Sequence, residues 1–136
     1  MSEDETASQS VDAAVAIHKA LGPGLLESAY VAALQIEISE RGLGWESEVP
    51  ILAFYLGKPL GIVYRADLLV DTRVLIEVKS VVGLEPVHTA QLLSYLRLGK
   101  WRLGLLLNFN SPLMKNGIRR IVNSQSLHLG AFAPWR

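Results

Sequence analysis

The chain has 136 residues, thirteen basic and thirteen acidic side chains, an apolar half and no cysteine. That length fits one domain with a sizeable core, and ordinary charge content with positive mean hydropathy excludes disorder for most of it. Lack of cysteine excludes a disulfide scaffold, thiolate zinc sites and cysteine nucleophiles, and suits a reducing, cytoplasmic compartment. The acidic start Met1-Ser2-Glu3-Asp4-Glu5 is unlike a secretory signal, and no apolar run approaches the ~20 residues of a membrane span.

Residues 1–9 are polar and expected to be disordered. From Ser10 the apolar residues Val11, Ala14, Val15, Ile17 and Leu21 recur at helical spacing, and Gly22-Pro23-Gly24 ends that helix. A second helix is predicted from Leu25 to Arg41, closed by Gly42 and Gly44. Three strands follow. Glu48 to Leu56 carries Pro50, which suggests an edge position; Leu60 to Val70 comes after a Gly57-Lys58 turn; Val74 to Ser80 comes after Asp71-Thr72-Arg73. Pro86 suits the first turn of a helix that runs through Leu98 and closes at Gly99. The apolar run Trp101 to Phe109 reads as a central strand covered on both faces, and a loop with Pro112 and Gly117 leads to a short strand, Ile118 to Asn123. The expectation is one domain over 10–123 with a tail at 124–136. Its element order is α-α-β-β-β-α-β-β, an α/β fold with helices packed on a sheet.

Net charge is zero, but its distribution is uneven. No acidic residue follows Glu85, whereas Arg97, Lys100, Arg102, Lys115, Arg119, Arg120 and Arg136 all lie in the last third. A basic face that tracks phosphates would give this pattern; so would a helix end and an edge strand kept soluble by charge.

The chemistry-bearing residues emerge from one alignment. If the 71–73 loop is centred on Thr72, Asp67 lies directly opposite Glu77, and Arg65 opposite Lys79. Directly opposed residues of an antiparallel pair have Cβ atoms only ~5 Å apart, where two carboxylates repel. A divalent cation gives a reason to place them there, since oxygen ligands are what magnesium demands. Glu77 and Lys79 are two apart and share a face of their strand. A solvent-facing salt-bridge cluster would need a wet face, yet Leu69 and Leu75 share the parity of these charges. On the helix after Pro86, His88, Gln91 and Tyr95 form one stripe, a pattern also common in plain surface rows. Glu27 stands in the first turn of its helix, where a carboxylate also simply complements the helix dipole. His18 reads first as a packing or surface histidine.

Gly24-Leu25-Leu26-Glu27-Ser28-Ala29-Tyr30 resembles the signature of the GxxExxY protein family, within the PD-(D/E)XK nuclease superfamily. The resemblance continues through Arg65-Ala66-Asp67 and Glu77-Val78-Lys79, the E-x-K element. Gln91-Leu92-Leu93-Ser94-Tyr95 is similar to the Q-x-x-x-Y helix of the superfamily's RecB-like branch. Four motifs in order, covering about 10–123, are far more specific than E-x-K alone. Ala66 stands where the superfamily's name places proline.

The resemblance implies a restriction-endonuclease-like core, a mixed sheet flanked by helices. It implies magnesium or manganese on Asp67 and Glu77, with the Val78 carbonyl and Glu27, directly or through water, completing the shell. Lys79 would position or deprotonate the attacking water, and Gln91 and Tyr95 would orient it or the phosphate. His18 and His88 would be outlying contacts. The implied activity is phosphodiester hydrolysis, of DNA ahead of RNA. The rivals are a catalytically silent nuclease-fold module that binds nucleic acid or a protein, and a hydrolase of small phosphoesters. The small size also suggests a homodimer, with Phe132 and Trp135 in the tail as contacts.

Overall fold

The structure is a computed structural model that describes residues 1–124. Phe132, Trp135 and Arg136 lie outside the described residues. Two helices come first, α1 (Glu3–Leu21) and α2 (Glu27–Glu40), then three strands, β1 (Trp45–Tyr55), β2 (Lys58–Val70) and β3 (Val74–Lys79). Helix α3 (Pro86–Gly99), strand β4 (Leu103–Asn108), a 3-10 turn (Met114–Gly117) and strand β5 (Ile118–Val122) complete the described chain. Spatial strand order follows chain order. Only β3 and β4 run parallel, so the sheet is mixed, with β1 and β5 at its edges. Pro50 is indeed on an edge strand, and β4, buried along its whole length, lies between β3 and β5.

Both sheet faces are covered. Ala13, Ile17, Tyr30 and Leu34 of α1 and α2 pack on Leu68, Val70, Ile76 and Leu105. On the other face Leu92, Tyr95 and Leu96 of α3 pack on Leu69, Leu75 and Leu106. This three-layer arrangement agrees with the expected α/β order and with a restriction-endonuclease-like core.

The N-terminal expectation is corrected. The polar stretch 1–9 is helical from Glu3, with Thr6, Ala7 and Ser10 buried, so the folded unit begins well before Ser10. The Ser2 hydroxyl accepts the Glu5 N–H while the Glu5 carboxylate accepts the Ser2 N–H, a reciprocal cap. Three acids in the first turn also complement the helix dipole. Long-range ion pairs hold the turn down: Glu3 to Arg102 at 2.6 Å, and Asp4 to Arg120 at 2.5 Å. Apolar periodicity carries no trace of such partners. The first hairpin turns at Leu56-Gly57 rather than Gly57-Lys58. Both residues have positive φ, 51° and 76°, the twist that two-residue hairpin turns favour.

Candidate active site

The β2–β3 pairing has the register read from the sequence. Leu68, Leu69 and Val70 face Ile76, Leu75 and Val74. Continued by one rung, it sets Asp67 against Glu77. There the regular ladder stops, and side chains replace backbone partners. The Asp67 N–H donates to Glu77 Oε1 at 3.0 Å, and the Val78 N–H donates to Asp67 Oδ2 at 2.7 Å. The two carboxylates therefore wedge the strands apart and fill the fork. On a strand a residue's carbonyl points to the same side as its own N–H, so the Val78 carbonyl faces the fork as well.

A break in strand alternation explains why Asp67 reaches this position. Ala66 packs toward α3 and Leu68 toward α1 and α2, although both are even-numbered. The phase slips at Asp67. On β1 the neighbouring rung is Glu48, flanked by the pairs Ser47–Leu68 and Val49–Ala66, and its φ is 48°. A left-handed glutamate inside a strand costs ~1 kcal/mol and twists the hairpin locally. Beyond the slip Tyr64 shares the α3 side with Glu77. The Tyr64 hydroxyl donates to Glu77 Oε2 at 3.2 Å, and its ring stacks on Tyr95, with centroids 4.3 Å apart. Simple alternation puts Tyr64 on the wrong face, so the sequence analysis missed it. The signal was its place three residues before Asp67, on the strand that carries the site.

Glu77 is only 3% exposed. Burial, then the neighbouring Asp67 charge, pushes its pKa up to about 7, against the opposing pull of the Asp67 amide and Lys79. Asp67 is also raised, first by burial and further by Glu27, with the Val78 amide and Lys79 acting the other way. Burial and the Glu77 charge likewise hold the Tyr64 and Tyr95 hydroxyls in their protonated form. Lys79 thus acts electrostatically on both carboxylates, as its position two residues beyond Glu77 requires.

The GxxExxY stretch is built around Tyr30. Its ring is buried and stacked on Phe109, while its hydroxyl donates to the Gly22 carbonyl and accepts the Leu25 N–H. Gly24 has φ 100°, a conformation that favours glycine. The loop so fixed starts α2 with Glu27, whose Oε2 accepts the Ser80 N–H at 3.2 Å just beyond Lys79. Glu27, Glu48 and Asp67 line one cleft of about 430 Å³ between α2 and the first hairpin.

The expected residues come together unequally. Asp67, Glu77 and the Val78 amide are in direct contact, Lys79 is beside them, and Tyr95 acts through Tyr64. Gln91 is exposed on α3 and hydrogen-bonds none of these groups among the described residues. His18 binds the Ser111 carbonyl and His88 the Glu85 amide, so both are engaged elsewhere. Among the described residues no three histidine, cysteine, aspartate or glutamate side chains converge as a ready metal cluster. Glu27 shares the cleft with Asp67 and raises its proton affinity, while one oxygen of its carboxylate accepts the Ser80 N–H. The donor chemistry still fits a hard divalent ion: a buried and a half-buried carboxylate, both with raised proton affinity, beside an inward-facing carbonyl.

Two members of the basic segment, Arg102 and Arg120, are engaged away from the fork. Arg102 precedes the start of β4, whereas Lys79 pairs with Asn108 at its end, roughly 20 Å along the sheet. Arg102 and Arg120 are ion-paired to Glu3 and Asp4, so this part of the positive charge is tied to the acidic N-terminus.

No helix among the described residues is long and apolar enough to cross a membrane. Neither a curated protein nor a solved structure matches the chain. A family model does: that of the PD-(D/E)XK nuclease superfamily matches residues 4–121, from the first turn of α1 into β5 and through every strand of the fork. The chain belongs to the PD-(D/E)XK nuclease superfamily.

Proposed function

We propose that this protein hydrolyses phosphodiester bonds in nucleic acid, DNA ahead of RNA, with magnesium or manganese held by Asp67 and Glu77. Within the superfamily the motif set favours the GxxExxY family, and Gln91 with Tyr95 the RecB-like branch. Lack of cysteine suits work in the cytoplasm. The observation that carries this reading is the strand fork, where two carboxylates take the place of backbone ladder partners. A structural role alone would not need a buried and a half-buried acid there, since a continued ladder would satisfy the same amides at less desolvation cost.

Asp67, Glu77 and the Val78 carbonyl would hold the ion, with Glu27 reaching it through water. When bound, such an ion supplies Lewis acidity, acidifying water and offsetting phosphoryl charge. Lys79 orients the attacking water and stabilises the negative charge that builds on the non-bridging phosphate oxygens. Tyr64 fixes Glu77 in one rotamer through its hydroxyl, and Tyr95 fixes Tyr64 by stacking. Gln91, exposed on the second turn of α3, would contact the substrate backbone.

Cleavage of plasmid and of single-stranded oligonucleotides, with magnesium, manganese or chelator, tests the proposal. Glu77→Ala and Lys79→Ala should each lower the rate at least ~100-fold while the circular dichroism spectrum is unchanged. Retained cleavage in both variants would end the assignment. The second reading, a silent module, draws on one Glu27 carboxylate oxygen being tied to the Ser80 amide. It predicts oligonucleotide binding without any metal-dependent turnover. A small-phosphoester hydrolase would turn over a nitrophenyl phosphodiester and leave polynucleotides intact.

A further inference from the structure

The first hairpin outruns the sheet. Pairing between β1 and β2 continues to Tyr55–Lys58, whereas β2 pairs with β3 only from Leu68 to Val70. The segment 52–63 is therefore a two-stranded arm. None of its residues belongs to either packed core cluster among the described residues. Its side chains are nonetheless those of a core. Leu52, Phe54, Tyr55, Leu56, Leu60 and Ile62 are all about half or more exposed, Phe54 at 65% and Leu56 at 82%. Segment 52–63 contains a single charged residue, Lys58.

We propose that this arm is an interface that takes a second copy of this chain. Strand alternation puts Leu52, Phe54 and Ile62 on one face of the arm and Tyr55 on the other, so a partner that embraces the arm meets, over both faces, on the order of 700 Å² of apolar surface. That is close to the ~800 Å² which each partner contributes to a standard stable interface. Aromatic and aliphatic anchors without buried charge are the composition of an interface centre. A surface so poor in charge meets its own copy about a twofold axis without like-charge opposition, apart from the tip lysines. Nucleic acid would need cations along the arm, and one lysine in twelve residues does not supply them.

The geometry also says how the copies meet. The free edge of β1 carries Pro50, and its pairing with β2 shifts register between Ile51 and Leu52 and again between Ala53 and Phe54. These features block regular strand addition, so contact is made through side-chain faces. The inference does not depend on the nuclease reading, and it replaces the tail with the arm as the dimer contact.

Sedimentation equilibrium on the full chain, together with the double variant Phe54→Ser/Leu56→Asn, tests it. Asparagine tolerates the positive φ of position 56, so the turn is kept. The wild type should sediment at twice its 14.9 kDa mass at ~10 µM, and the variant should dimerise at least ~30-fold more weakly with an unchanged circular dichroism spectrum. Glu77→Gln should dimerise as the wild type does, which separates this result from any failure of catalysis. A wild type that stays monomeric at ~100 µM would overturn the proposal, as would a dimer indifferent to the double variant. A monomer whose double variant loses oligonucleotide affinity would assign the arm to nucleic acid instead. Dimerisation only after removal of residues 125–136 would assign the arm to the chain's own tail.

Discussion

The carboxylate of Glu77 accepts the backbone N–H of Asp67 at 3.0 Å, while that of Asp67 accepts the N–H of Val78, the residue after Glu77, at 2.7 Å. Each acid thus stands in for a carbonyl of the facing strand. The arrangement satisfies the amides but leaves the Glu77 charge almost wholly shielded from water, beside a half-buried Asp67. Several measurable properties follow from that conflict.

The first is an inverted pH dependence of stability. Glu77 has its folded pKa raised from 4.5 to about 7. Between those values the folded protein keeps a proton that the unfolded chain has released, so protonation favours folding there. This contribution is complete below the ordinary carboxylate value and is lost as pH rises through 7. The metal-free protein should therefore lose on the order of 2 kcal/mol between about pH 5 and pH 8. Glu77→Gln should flatten the profile and melt higher than the wild type at pH 8. A wild-type profile that rises across this range would contradict the assignment of burial as the dominant cause.

Tyr64 gives a second prediction. Tyr64→Phe removes the donor to Glu77 Oε2 but keeps the ring stacked on Tyr95. A hydrogen bond to a carboxylate is worth ~1.5–3 kcal/mol, so kcat should fall roughly 10- to 150-fold with little change in KM. Because that bond favours the ionised form, the acid limb of the pH–rate profile should move to higher pH. A purely structural tyrosine would leave the limb where it is, and steady-state kinetics across pH distinguish the two.

Arg102 supplies a third. It is paired with Glu3 and Asp4 at the sheet end away from the fork. Arg102→Ala should cost about 1 kcal/mol of stability, in thermal melts, and loosen the first turns of α1. The salt dependence of oligonucleotide affinity should not change. A slope reduced by about one would show that Arg102 neutralises a phosphate after all.

The extent to which the site was legible in the sequence follows from which residues local rules govern. The 71–73 loop fixed the β2–β3 register, and with it the juxtaposition of Asp67 and Glu77. Apolar alternation placed Leu69 and Leu75 on the face of Glu77, where they pack against α3. Tyr64 escaped because both strands slip phase at the Glu48–Asp67 rung, and the cause is a positive φ at a glutamate that no propensity announces. The first turns of α1 escaped because Arg102 and Arg120, about a hundred residues away, hold their acids. The same pairs removed part of the expected phosphate-binding surface. Tyr30 was legible only as a motif letter; its role in pinning the loop before Glu27 needed the packed Phe109 and two hydrogen bonds.

The central claim is that the Asp67–Glu77 fork is a divalent-cation site, and manganese binding followed by electron paramagnetic resonance tests it most directly. Titrations of the wild type, Asp67→Asn and Glu77→Gln at about pH 8, with folding checked by melting, avoid any dependence on the choice of substrate. The account predicts saturable binding by the wild type and at least ~10-fold weaker binding in each variant. Equal manganese affinity in all three proteins would contradict it.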